Sequence, residues 1–137
     1  MIFTVPWIPL VVGTIISMAL GAMWYSNVLF AKPWMKEAGV TMEEINASSD
    51  QMGKVYAFTA LGALATAYVV GFLMVNLKIM TLGNAVIFAL LLWIGTNVPP
   101  MIKNWGFENR TIKLGIINHG YDLAIYLIVA ILYTFFI

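Results

Sequence analysis

The chain has 137 residues, of which 62% are hydrophobic and 9% charged, against roughly a quarter charged in an ordinary soluble domain, so a freely soluble protein is not expected. Seven Lys plus Arg against six Asp plus Glu leave a net charge of +1, too weak and too dispersed for nucleic acid to be a partner. The absence of cysteine excludes disulfides, thiolate metal sites and Cys nucleophiles, and at about 150 residues per domain there is room for one unit.

Charged residues divide the chain. None occurs from Met1 to Ala31, from Val55 to Leu77 or from Ile79 to Ile102, and the stretch from Leu114 to Ile137 carries one, Asp122. A helix needs about 20 predominantly apolar residues to cross a hydrocarbon core of about 30 Å, and each stretch supplies them. The fold class that follows is all-α, an integral membrane bundle of four antiparallel transmembrane helices at about residues 9–30, 52–76, 82–102 and 112–136.

The first stretch lacks a basic n-region and exceeds the usual h-region of roughly 7 to 15 residues, so it reads as a span and not as a signal peptide. Pro6 and Pro9 suit its start, Trp7 the headgroup zone, and Trp24, Tyr25 and Trp34 an aromatic belt at the far side. The loop at 31–51 predicts short amphipathic helices. Pro33 to Gly39 carries an N-terminal Pro and a C-terminal Gly, and Thr41-Met42-Glu43-Glu44 is a capping-box pattern. With Trp34, Met35, Val40, Met42 and Ile45 interleaved with Lys and Glu, this loop is expected on the membrane surface, the alternative being a solvated loop with two frayed turns. Ser48 with Gln51 resembles a capping box that opens span two near Asp50. Span three follows Thr81 and span four follows Thr111, and the very short turn between spans two and three predicts a tight hairpin.

Basic residues set the orientation. Lys32, Lys36, Lys54, Lys103, Arg110 and Lys113 flank the first and third loops, against Lys78 alone on the other side. The first and third loops are therefore expected in the cytoplasm and both termini outside. Lipid tails are as apolar as leucine, so helix association must rest on close backbone approach and polar contacts. Span one carries Gly13-x-x-x-Ser17-x-x-x-Gly21, and span two carries Thr59, Ala63, Ala67 and Gly71 at the same spacing, which predicts that these two faces pack together.

The informative residues are those that lipid should reject. At 1.5 Å per residue from about Ile112, span four brings His119 roughly 10 Å and Asp122 roughly 15 Å into the membrane, near the midplane. A carboxylate there costs about 2.5 to 3.5 kcal/mol on insertion scales, so it should face the bundle and have a partner. Gly115, Asn118, His119, Asp122, Tyr126 and Tyr133 form one polar and aromatic stripe. The same arithmetic places Tyr25 and Ser26 about 6 to 8 Å from the end of span one, Thr59 about 8 Å inside span two and Asn97 about 8 Å from the end of span three. Facing inward, these residues would line a polar pocket on the cytoplasmic side with Asp122 at its floor.

Pro99 and Pro100 lack N–H groups, so the carbonyls of Gly95 and Thr96 lose their intrahelical donors. Either span three breaks there, as helices do around substrate or ion sites in transporters, or it ends at Val98 as a short span. His119 and Asp122 at i, i+3 invite a proton role, since histidine titrates near physiological pH. The bland alternative is polar glue between helices, worth about 0.6 kcal/mol on average. No metal site is expected, because His119 is the only histidine and would need several copies or help from Asp122 and Asn118. Haem would need His119 or a Met as axial ligand, and no cofactor is identified. The nine methionines read as packing residues.

Gly21-Ala22-Met23-Trp24-Tyr25-Ser26, Leu29-Phe30-Ala31-Lys32, Trp34-Met35, Gly39-Val40-Thr41, Met52-Gly53-Lys54-x-Tyr56 and Phe107-Glu108-x-Arg110, followed by Leu114, Ile117-Asn118 and Gly120-Tyr121, resemble an uncharacterised family of small prokaryotic membrane proteins, domain of unknown function 1761. Asn27 stands where the family tends to have Pro, and Ala31 where it tends to have Gly. The resemblance implies a four-span inner-membrane protein and no particular activity. It also implies that Trp24, Tyr25, Ser26, Glu108, Arg110, Asn118 and Tyr121 gather around the cytoplasmic mouth, where Glu108 and Arg110 could pair.

Two functions compete. In the first, a pocket of Asp122, His119, Asn118, Tyr25, Asn97, Trp24, Ser26 and Tyr126 binds or transports a small ligand or a proton, and four short helices enclose so little space that a homo-oligomer is expected. In the second, the chain is a non-catalytic accessory or structural subunit of a larger membrane complex. An enzyme is the weakest fit, since no catalytic residues can be named: one histidine and one buried carboxylate do not complete a nucleophile, base and oxyanion set.

Overall fold

The computed structural model describes all 137 residues, and every element in it is helical. In chain order these are α1 (Trp7–Trp24), α2 (Ala31–Ala38), α3 (Met42–Ala47), a 3-10 turn at Ser49–Gln51, α4 (Met52–Leu77), α5 (Leu82–Thr96), α6 (Val98–Phe107) and α7 (Ile112–Thr134). Four helical stretches are long and apolar enough to cross a membrane: α1, the turn with α4, α5 with α6, and α7.

Local chemistry sets several of these ends. The hydroxyls of Thr41, Thr81 and Thr111 accept from the backbone N–H of Glu44, Asn84 and Leu114, three residues on, which satisfies one of the donors a helix start leaves open. Gly39 ends α2 in the left-handed region at φ 71°, where a Cβ would be strained. Ser48 does not cap the next element: its hydroxyl donates back to the Ile45 carbonyl, and the chain enters α4 through the 3-10 turn.

The first span is shorter than its apolar stretch. Helix α1 stops at Trp24, not near Phe30, because the Ser26 hydroxyl takes the Met23 carbonyl and the backbone folds over, with Phe30 N–H donating to Trp24 O and Ala31 N–H to Ser26 O. Its 18 residues span about 27 Å, still close to a hydrocarbon thickness. In the third span, the helix breaks at Asn97 (φ −106°, ψ −38°) and resumes at once with Pro99 and Pro100 in the first turn of α6. Of the two readings of Pro99-Pro100, this is the broken helix.

Helix α7 is the hub, packing against α1, α2, α4, α5 and α6. The core joins Ala67, Val70 and Met74 of α4, Ala85 and Ala89 of α5, and Ile125, Val129, Ala130 and Tyr133 of α7. Consequently α4 and α5 do not form a tight hairpin. Though joined by a short turn, each packs on α7 more than on the other.

Helices α1 and α4 pack together, as their small residues predict, and the same residues also receive α7. A Cβ on Gly13 would lie 3.4 Å from Val129 Cγ2 and 3.8 Å from Ala67 Cβ, and one on Gly21 would lie 3.0 Å from Tyr121 Oη. Gly71 faces the ring of the fully buried Tyr133. The glycines are notches that let the bulky side chains of the central helix approach two backbones, the close contact on which helix association in lipid depends. Ahead of α1, the extended N-terminal segment lies along α4: Ile2 N–H donates to Asn76 Oδ1 and Asn76 Nδ2 to Ile2 O, both at 2.8 Å, while the Tyr68 hydroxyl donates to Phe3 O.

Candidate functional site

The polar residues converge on the break in the third span. Pro99 and Pro100 end the regular hydrogen bonding of α5 just where Asn97 sits, 4% exposed. Its amide nitrogen lies 2.6 Å from Asp122 Oδ2 and 2.9 Å from His119 Nδ1, both on α7. An amide NH2 has two hydrogens, so it can donate to both. The bond to His119 requires Nδ1 to be the unprotonated nitrogen, which leaves the ring proton on Nε2. The Thr96 hydroxyl lies 2.9 Å from Asn97 Oδ1 and 2.7 Å from Leu92 O, and its single proton serves one of them. One turn before Asn97, Trp93 donates its indole N–H to the His119 carbonyl at 2.7 Å. Trp93 of α5 and Asn97 at the break thus hold α7 beside its acid.

His119 and Asp122 face each other less directly than their spacing implies. Nδ1 and Oδ2 are 3.8 Å apart, beyond hydrogen-bond reach, and Asn97 bridges them. Asp122 is not sealed in the bundle: its side chain is 41% exposed against 16% for His119. Oδ2 is held by Asn97, no group of the protein donates to Oδ1, and the residue lines a cavity of about 310 Å³ with Ser17, Thr59, Thr66, Tyr121 and Tyr126.

The remaining candidates divide. Tyr25 donates its hydroxyl to Asn118 Oδ1 at 2.8 Å, and Trp24 its indole N–H to the Ile117 carbonyl at 2.9 Å. These two bonds fasten the end of α1 to α7, and the aromatic rings of Trp24 and Tyr25 pack on that of Tyr121 with centroids 6.1 and 6.0 Å apart. Tyr126 stands with Asp122. Asn118 and His119 open instead on a separate cavity of about 330 Å³ under the third loop, with Asn104, Glu108, Arg110 and Thr111. The single pocket expected from the sequence is therefore two cavities, with Asn97, His119 and Asp122 between them. Ser26 belongs to neither. Its hydroxyl is consumed at the end of α1, and it lines a third recess with Trp34 and Met42. Glu108 and Arg110 are both exposed and form no ion pair.

Sequence reasoning misses Trp93 and Ser17 as site residues. Trp93 lies four residues before Asn97, on the same helix face, a signal that the spacing does carry. Ser17 reads only as a packing residue, yet its carbonyl accepts the Tyr121 hydroxyl at 2.7 Å, which spacing within one helix does not show. His119 and Asp122 are ligand types for a metal, but nowhere do three His, Asp or Glu side chains converge.

No curated protein and no solved structure matches the chain. The model of one family, described as "Protein of unknown function (DUF1761)", matches residues 8–134. That match covers the whole broken-span junction, both of its cavities and, but for Trp7, the helices that hold them, and by it the chain belongs to this family.

Proposed function

We propose that the chain is the binding unit of a proton-linked carrier for a small ligand, working as a homo-oligomer in the cell membrane, with antiparallel spans, the first and third loops in the cytoplasm and both termini outside. The observation that carries this reading is the shared Asn97 amide. While His119 is neutral, Nδ1 accepts from Asn97. A proton on Nδ1 turns that acceptor into a donor facing another donor, so Asn97 must release it, and Asp122 Oδ2, 3.8 Å away, stands as an acceptor for the new N–H. Proton uptake thereby rearranges the junction at the break between α5 and α6, the place where a helix can bend without losing further backbone bonds. Broken helices beside a mid-membrane acid are where transporters bind and couple. The six basic residues that flank the first and third loops support the orientation.

The single histidine makes the test direct. In nanodiscs, lowering the pH should change the ¹⁵N resonances of His119 as Nδ1 takes up a proton, and the Trp93 indole signal should move with them because it donates to the His119 carbonyl. Asn97→Leu and Asp122→Asn should alter that response. In proteoliposomes under an imposed pH gradient, a panel of small cations, anions and neutral solutes should include one that carries current. A histidine that stays unchanged as the pH is lowered, with no solute carried, overturns the reading.

A second reading rests on its own observation. Trp24 to Ile117, Tyr25 to Asn118, Trp93 to His119 and Tyr121 to Ser17 all join one helix to another, which suits polar glue. Residues 53–59 of α4, meanwhile, are exposed on every side, which suits an accessory subunit docked on a larger complex. Copurification with one fixed partner, together with an unresponsive His119, supports that role.

A further inference from the structure

Three cavities succeed one another along the seam between α1 and α4. The first, about 600 Å³, lies under the first loop with Glu44 at its edge. The second, about 370 Å³, shares Ala22, Tyr25 and Tyr56 with it. The third, about 310 Å³ with Asp122 at its end, shares Thr59 and Tyr121 with the second. Each is of the size that small molecules occupy.

What lines the seam selects the ligand. No Lys, Arg or His borders any of the three cavities, while a carboxylate stands at each end. The cavity under the third loop differs, with Glu108, Arg110 and His119 presenting both signs. Most hydroxyls along the seam are already spent. Tyr25 donates to Asn118, Tyr121 to the Ser17 carbonyl, Thr59 to Val55 and Ser17 to Gly13. These two tyrosines therefore present ring surface more than hydrogen-bond donors. Asp122 Oδ1 and the hydroxyls of Tyr56, Thr66 and Tyr126 remain without a partner in the protein. An anion would meet two carboxylates and no positive charge, and a sugar would find few free donors. A cation with an apolar body finds aromatic faces along the way and a half-exposed carboxylate at the end.

We propose that the ligand of this site is a small organic cation, an ammonium group on an arylalkyl body, which enters at Glu44 and passes Tyr25 and Tyr56 to reach Asp122. This assignment rests on the carrier reading above and names its substrate class. In the bound state the ammonium donates to Asp122 Oδ1 and to the Thr66 and Tyr126 hydroxyls, and the aryl group packs on Tyr121 and Ile125.

The probes are 2-phenylethylammonium, 2-phenylethanol and 3-phenylpropionate, close in size and differing in charge. Their binding is measured by equilibrium dialysis against the full chain in nanodiscs of uncharged phosphatidylcholine, with empty nanodiscs subtracted. The ammonium compound should bind at least about tenfold more tightly than the other two, a difference of about 1.4 kcal/mol. Asp122→Asn should remove that preference. Glu44→Gln, at an exposed loop position where folding is not at stake, should weaken the ammonium compound by about twofold to fivefold and leave the alcohol unchanged, as a single charge at a screened mouth would. Equal binding of alcohol and ammonium makes the seam an apolar crevice for lipid chains or a second copy and overturns the assignment. So does ammonium binding indifferent to both variants. If 3-phenylpropionate binds best while the His119 resonances still respond to pH, the carrier reading stands and the cation is refuted. If His119 is also silent, both fall.

Discussion

Replacing Gly71 with alanine sets two opposing effects against each other. Alanine favours a helix interior by about 1 kcal/mol over glycine, so on propensity alone the change should stabilise α4. At this position, however, the new Cβ would lie 2.6 Å from Tyr133 Cε1 and closer still to Cζ and Oη, whereas carbons prefer about 3.5 to 4.0 Å. Tyr133 is fully buried among Met74, Val129 and Ala130 and has no space to swing into, so α4 and α7 must separate by roughly 1 Å, a gap that forfeits about a quarter to a half of the dispersion attraction between the atoms it parts. Overpacking of this kind costs typically about 1 to 3 kcal/mol, and after the propensity gain of about 1 kcal/mol a net loss of up to about 2 kcal/mol remains. Gly62 supplies the control: it lies in the same helix, and a Cβ there meets nothing within 4 Å, so Gly62→Ala should be neutral or stabilising by up to about 1 kcal/mol. Unfolding in detergent by added SDS reads both. In the double variant with Tyr133→Leu, the Gly71→Ala penalty should shrink, a coupling of about 1 kcal/mol or more. A Gly71→Ala protein as stable as Gly62→Ala, or strict additivity with Tyr133→Leu, would refute the notch geometry.

Two further outcomes follow from the polar groups. Asn97→Leu removes the donors to Asp122 and His119. A hydrogen bond to a charged group is worth about 1.5 to 3 kcal/mol and side-chain bonds between membrane helices average about 0.6, so a loss of about 1 to 3 kcal/mol in the same assay is expected. An unchanged midpoint would show that the bridge is not formed. Tyr133→Phe should leave stability unchanged or raise it by up to about 1 kcal/mol, because the buried hydroxyl has no partner and its removal costs no bond. A clear loss of stability would show that the hydroxyl is bonded.

Much of the architecture is legible because lipid imposes simple rules. Runs of uncharged residues long enough to cross a bilayer mark the four spans, threonines mark three helix starts, and Pro99-Pro100 marks the break at Asn97. Spacing also puts His119, Asp122 and Tyr126 on one stripe. That Asp122 needs a partner is a statement about the cost of charge in hydrocarbon, and it requires no coordinates. Ser26 misleads for a local reason: a hydroxyl two residues past the last helical turn can satisfy the chain's own carbonyl as easily as face a pocket.

How the helices pair was decided by tertiary structure. The small residues of α1 and α4 predict that these two helices pack together, and they do, but the notches at Gly13, Gly21 and Gly71 also take Val129, Tyr121 and Tyr133 of α7, which the spacing does not show. The short turn after α4 reads as a hairpin, yet the two flanking helices meet α7 more than each other. Periodicity identifies the faces of one helix and composition the depth of a residue, and these the amino-acid order determined. Which face meets which depends on the rotation and shift of each helix about its neighbours. In a solvent as apolar as the side chains, that choice turns on close fit and on single bonds such as Asn97 to Asp122, whose partners lie on different helices and leave no mark in the spacing of either.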